Sequence, residues 1–199
     1  ATQMASELLV AEGTRRSNMS RLRGWLGTDP DGNAYLPEAY SGRINLSPLV
    51  TSDWQRVKLV LGPGANAVEL ETLIGVLRLV RGAPLADAAP GQWCWAEELR
   101  TDISSAIRDA GVVLAAGARA AGDLDLARWA ESRALTAAPE DELLLCERVR
   151  TERQAGNRAE VERLVLRLTH HARVLGVDLA PETVRLCQEA MEGRLRARA

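Results

Sequence analysis

The run Ala121-Gly122-Asp123 returns 34 residues later as Ala155-Gly156-Asn157, and this repetition limits what the chain can fold into more than any other feature. Glycine reaches positive φ without a Cβ clash, so it suits the residue just past a helix end. Asp or Asn in the next position can accept from the free N–H groups that open the following helix. Each copy therefore reads as two helices joined by a tight turn. In the first, Leu114 falls on the leading helix, Ala127, Ala130 and Ala134 on the second, and Pro139 closes the unit. The second copy, 142–175, keeps the turn and apolar Val161, Val165 and Leu168, and lacks the small alanines and the closing proline. A hairpin of this kind cannot bury its apolar face alone and needs neighbours stacked against it.

The period of 34 is that of tetratricopeptide-like (TPR-like) repeats, and most of the remaining chain carries helical periodicity that could supply the neighbours. Ser52 can cap a helix bearing Trp54, Val57 and Leu61. After the Gly62-Pro63-Gly64 break, Leu70, Leu73, Ile74 and Leu77 form one apolar stripe. A connecting loop covers 82–91, and a long helix starting near Trp93 carries Leu99, Ile103, Ile107, Ala110 and Leu114. Pro181 opens a last helix with Val184, Cys187, Met191 and Leu195 on one face. The expected fold is mainly α, with a TPR-like helical domain over 51–199.

Residues 1–50 read differently. A first helix spans 1–10, with Met4, Leu8 and Leu9 on one side. Thr14 then caps a helix running to Leu26, with Met19, Leu22 and Leu26 as its apolar stripe. A turn-rich stretch at 27–33 leads to β-like runs at 34–36 and 43–46, read as a short hairpin that Pro48 ends. The helix from Thr14 carries Arg15, Arg16, Arg21 and Arg23, with Ser17, Asn18 and Ser20 between them and no acidic residue. Arginines on such a helix can pair with guanine edges in a major groove, while Ser and Asn reach phosphates or adenine. The same face on an ordinary amphipathic helix is simply solvated.

Composition narrows the function classes. Across 199 residues the formal net charge is −2, which excludes a uniformly basic nucleic-acid binder and leaves local patches open. Cys94, Cys146 and Cys187 form no CxxC pair and suit buried free thiols in a reducing compartment. His170 and His171 have no ligand-spaced partner, so neither a metal nor a cofactor is expected. Gly62-Pro63-Gly64 lacks the preceding strand and following Lys-Ser/Thr of a phosphate loop. No nucleophile elbow or carboxylate pair with histidine occurs, so neither catalysis nor a small-molecule substrate is expected. Trp93, Trp95 and Trp129 read as core or interface anchors. No apolar run has membrane-spanning length and no secretory signal opens the chain. The first residue is Ala1, as expected for a piece of a longer protein.

Several runs resemble a known family. Arg81-Gly82-Ala83-Pro84-Leu85-Ala86-Asp87 resembles the R-G-x-P-L-A-D loop of the bacterial transcriptional activator domain (BTAD). The run 172–182, with Leu175-Gly176-Val177 and Pro181-Glu182, is similar to that domain's closing L-G-V-x-x-x-P-E signature. Asp53 and Arg56 fit its opening D-x-x-R segment, with Val57 in place of an aromatic residue. In actinobacterial regulators of the SARP type this domain follows an OmpR-like winged helix. Ser20-Arg21-Leu22-Arg23 before Leu26-Gly27 is similar to the end of that winged helix's recognition helix. Arg43-Ile44-Asn45-Leu46 departs from the usual wing motif G-Y-x-L.

The resemblance implies a partial winged helix-turn-helix at 1–50 and an activator domain at 51–199. DNA would contact Arg15, Arg16, Ser17, Asn18, Ser20, Arg21 and Arg23. Other proteins, RNA polymerase or a second copy of the chain, would contact the helical domain. The run Asp29–Pro37 also resembles a subgroup in which the module ends a longer LysM-containing, membrane-associated protein, which implies an intracellular signalling or docking end as the alternative to DNA binding. Either way the expected location is the cytoplasm, as a free regulator or as the cytoplasmic part of an anchored one. The turn argument is directly testable: Gly122→Val should cost on the order of 1 kcal/mol or more in stability. An unchanged thermal midpoint in that variant would remove the glycine from the account.

Overall fold

The computed structural model describes residues 10–38, 43–87 and 93–196, with side chains to Glu192. Its contacts divide the chain into two units, 1–56 with 85–99, and 57–84 with 100–199. The fold is mainly α, with eight α-helices and no strand among the described residues. We number the helices α1 (Glu12–Leu26), α2 (Asp53–Leu61), α3 (Leu70–Arg78), α4 (Glu97–Ala120), α5 (Leu124–Ala137), α6 (Glu142–Gln154), α7 (Arg158–Leu175) and α8 (Pro181–Arg196). The helix expected over 1–10 falls almost entirely outside the described residues.

In the first unit, α1 begins at Glu12, two residues before the expected cap at Thr14, and Ala11 at its N-cap offers no side-chain bond. The Glu12 carboxylate stands in the first turn, where it complements the helix dipole and accepts from arginines one turn on. The half-buried stripe is Arg15, Met19, Arg23 and Leu26, whereas Leu22, expected inside, is 41% exposed. Arginine stems have replaced leucine on the covered face.

No strand forms at 34–36 or 43–46, and the backbone groups of Tyr35 and Leu36 bond one by one. The Tyr35 N–H donates to the Gly27 carbonyl, Ser47 N–H donates to the Tyr35 carbonyl, and Arg23 Nε takes the Leu36 carbonyl at 2.9 Å. The only β pairing among the described residues is a bridge between Thr28 and Ala34. It closes a turn in which Asp29 accepts from the backbone of Asp31 and Asn33 at 3.0 and 2.8 Å. At the start of α2, Ser52 Oγ accepts from Gln55 N–H while Gln55 Oε1 accepts from Ser52 N–H, a reciprocal capping box.

The second unit is a stacked helical array. Helix α4 ends with Gly122 at φ 80° and α6 with Gly156 at φ 72°. In both, the residue after glycine serves two helices at once. Its N–H returns to a carbonyl five residues back (Asp123 to Ala118, Asn157 to Glu152), closing the helix behind it. Its side chain accepts from an N–H three residues on (Leu126, Glu160), opening the helix ahead. Gly176 ends α7 in the same way, and Pro181 then starts α8. The turn between α5 and α6 instead runs through Glu140 at φ 62°, whose carboxylate Arg167 of α7 grips from both sides of its fork.

Packing follows from side-chain size. Ala127, Ala130 and Ala134 on α5 are wholly buried, and Gly111 on α4 lies so close that an added Cβ would sit 2.4 Å from Ala134 Cβ. Further along, Leu145, Cys146 and Val149 of α6 join Val161, Leu164, Val165 and Leu168 of α7, and Leu186 and Cys187 of α8, in one apolar cluster. The buried face of α8 is Thr183, Leu186 and Cys187, and Val184, expected on it, is 39% exposed. Leu70, expected on the buried stripe of α3, is 38% exposed, while Val76 takes an inner place beside Leu73 and Leu77. Cys94, read as a buried thiol, is exposed, and Cys146 and Cys187 are buried.

Gly111→Ala should lower stability by about 1–3 kcal/mol through overpacking. Gly75→Ala on α3, where nothing lies within 4 Å of an added Cβ, should raise it by about 0.5–1 kcal/mol. Urea midpoints of the two variants check the pair, and equal effects would refute the close approach.

Candidate functional site

The sequence-derived DNA-contacting residues all lie on α1, but they do not share one role. Arg15 Nε donates to Glu12 Oε2 at 2.8 Å, and only 12% of its side chain is exposed. Arg16 Nε donates to Glu12 Oε1 at 3.3 Å with a side chain 75% exposed. These contacts, the Arg15 hydrogen bond foremost, hold the Glu12 carboxyl down at about 2. The expectation of a face with no acidic residue is corrected by Glu12, which shares the helix. Arg23 is held by the Leu36 carbonyl, with Glu38 at 4.0 Å from its Nη1. Ser17, Asn18, Ser20 and Arg21 are exposed, and Trp25, one turn from Arg21, is 80% exposed. The outward group is thus Arg16, still bonded to Glu12, with Ser17, Asn18, Ser20 and Arg21, while the Arg15 and Arg23 side chains are more covered, at 12% and 30% exposed.

The helical array carries two features that the sequence reading did not single out. The first is a charged network at the α5–α6 interface. Arg128 holds Glu152 with both arms of its fork, at 2.9 and 3.0 Å, and Asn157 Nδ2 donates to the same carboxylate at 3.0 Å. The Arg128 contact, then Asn157, holds the Glu152 carboxyl below its usual range. Arg148 lies 3.2 Å from Glu152, and its Nη1 donates to Glu131 at 3.3 Å and to the Arg128 carbonyl at 3.1 Å. Thr151 Oγ1 donates to Glu131 at 2.5 Å. Glu131 has no exposed surface, and burial pushes its carboxyl up to about 7 against the pull of Thr151 and Arg148.

The second feature is a cleft of about 450 Å³ lined by Arg119 of α4, Arg150, Arg153 and Gln154 of α6, and Leu186 and Glu189 of α8. Arg119 Nη1 lies 2.6 Å from Glu147 Oε2 without a directional hydrogen bond, and Arg150 pairs with the same carboxylate. Arg153 Nη1 donates to Glu189 at 3.2 Å, and Gln154 Nε2 donates to the Arg119 carbonyl. A signal for this cleft did exist in the sequence: Arg119 and Arg153 are 34 residues apart, the spacing of the turn glycines that follow them.

Among the described residues, no group of three or more His, Cys, Asp or Glu could hold a metal ion, and no helix is long and apolar enough to cross a membrane. Comparison with protein-family models, curated proteins and solved structures finds no match to the chain.

The raised Glu131 carboxyl sets a pH dependence. Between its ordinary 4.5 and about 7, the folded chain keeps a proton that the unfolded chain has lost, so stability falls as pH rises through that window. Glu131→Gln should remove this decline, making the variant's urea midpoint gain on the wild type's between pH 5 and pH 8. Parallel midpoints across that range would show that Glu131 does not titrate there.

Proposed function

We propose that the chain is a fragment of a transcriptional regulator of the bacterial transcriptional activator type, whose helical array docks on another protein and whose α1 contacts DNA. On this reading 1–50 is a partial winged helix, the array is TPR-like, and the chain binds without catalysing. The observation that carries it is the pair of hairpins with matching Gly-Asp and Gly-Asn turns 34 residues apart. Stacked hairpins of this period present a continuous surface to a partner. The R-G-x-P-L-A-D run is tethered to the array just before it starts, where Arg133 Nη1 donates to the Val80 carbonyl at 3.2 Å.

For DNA, the exposed Arg16 and Arg21 supply charge, while Ser17, Asn18 and Ser20 between them supply shorter donors. Arg15 and Arg23 brace the helix and its following segment. A specific observation favours a second reading, a docking module that no longer binds DNA: Glu12 already engages Arg15 and Arg16.

Two measurements on the full chain test the two halves. Anisotropy with duplex DNA over a salt series should show salt-steepened binding, with the log–log slope reduced by about 2 in Arg16→Ala/Arg21→Ala. Binding that ignores salt, or is unchanged in that variant, would leave the docking module alone. Hydrogen exchange with and without bacterial RNA polymerase should protect segments within 100–192. No protection there would remove polymerase as the array's partner.

A further inference from the structure

We infer that the cleft between α4, α6 and α8 receives a short, extended acidic peptide segment of a partner protein, whose carboxylates Arg119, Arg150 and Arg153 hold. The inference rests on the reading of the array as a protein-docking surface and names the chemistry of the partner.

The charge count is the first support. Three guanidinium groups converge on the cleft and meet two carboxylates, Glu147 and Glu189. Glu147 is buried between Arg119 and Arg150, so one carboxylate serves two of the three cations that line the cleft. Arg119 forms the covered back of the cleft, with 16% of its side chain exposed, while Arg150 and Arg153 are 40% and 43% exposed.

The second support is that Arg153 already binds a carboxylate from its own chain. Glu189 lies on α8 with 63% of its side chain exposed, so its bond to Arg153 is solvated and weak. An incoming acidic side chain can replace it. Peptide chemistry is favoured over a phosphate backbone by the other two lining residues. Leu186, 7% exposed, shows the cleft a small apolar edge, and Gln154, whose Nε2 is engaged by the Arg119 carbonyl, keeps Oε1 to accept a peptide N–H. The volume lies within the range of about 300–1,000 Å³ that ligand clefts occupy.

The test is anisotropy of a fluorescein-labelled peptide alternating glutamate and leucine, titrated with the full chain, against the same peptide with glutamine for glutamate. The acidic peptide should bind and the glutamine peptide should not. Arg153→Glu should weaken binding by about tenfold or more, as expected for a lost charge-assisted contact. Glu189→Gln, which removes the competing carboxylate, should tighten it severalfold. Arg163→Glu, at an exposed position of α7 with its own partner Glu160, should leave peptide binding unchanged. Circular dichroism melts accompany each variant, and Glu189→Gln keeps the test decisive if Arg153→Glu unfolds.

No binding, equal loss in Arg163→Glu, no response to Glu189→Gln, or displacement of the peptide by duplex DNA would each overturn the inference. If the peptide fails while polymerase still protects the array, the docking reading survives and this cleft is not its site. Loss of both would remove the docking reading as well.

Discussion

A single residue between two helices sets the geometry of the array. Asp123 and Asn157 each close one helix with a backbone N–H and open the next with a side-chain oxygen. So short a connection is possible only because the preceding glycine takes positive φ, which an L side chain enters at a cost of roughly 1 kcal/mol. The same pair of bonds therefore holds the turn in both hairpins. With the hairpin fixed, the interhelix distance is decided by what the facing positions carry, and Gly111 against Ala134 brings α4 and α5 together more tightly than larger residues would permit.

Two kinds of interface follow from that frame. The α6–α7–α8 end is joined by leucine, valine and cysteine side chains. The α5–α6 joint instead buries Glu131, Thr151 and Glu152 with Arg128 and Arg148 reaching in from its edge. Apolar contacts tolerate sliding, whereas the paired forks and hydroxyl fix one register. A buried ionic group of this kind adds little net stability but penalises every arrangement that leaves it unpaired.

The legible parts of the sequence were those governed by local rules. Gly122, Gly156, Asp123, Asn157 and the Ser52 cap act within a few residues, so their spacing carries their role. The buried alanines of α5 were equally visible, because a helix face repeats regularly. The stripe of α1 was less so. Hydropathy put Leu22 inside and Arg15 and Arg23 outside, but the covered face depends on where Leu36 returns and on Glu12 being close enough to engage Arg15. The runs 34–36 and 43–46 differ for a related reason: their β-like composition says nothing about which partners claim a backbone group such as the Tyr35 or Leu36 carbonyl.

By itself the sequence determined a mainly helical chain, the two hairpin turns and the residues that end and start their helices, since these obey steric and hydrogen-bonding limits of the local backbone. The tertiary structure decided which charges are spent inside the molecule and which face outward. Arg15 and Arg16 are neighbours in sequence, yet one is mostly covered and the other mostly exposed. Arg119 of α4 and Arg150 and Arg153 of α6 line one cleft, alongside Leu186 and Glu189 of α8. Charge in a sequence is a sum over residues. Its effect is a function of distance and solvent exposure, and only packing sets those.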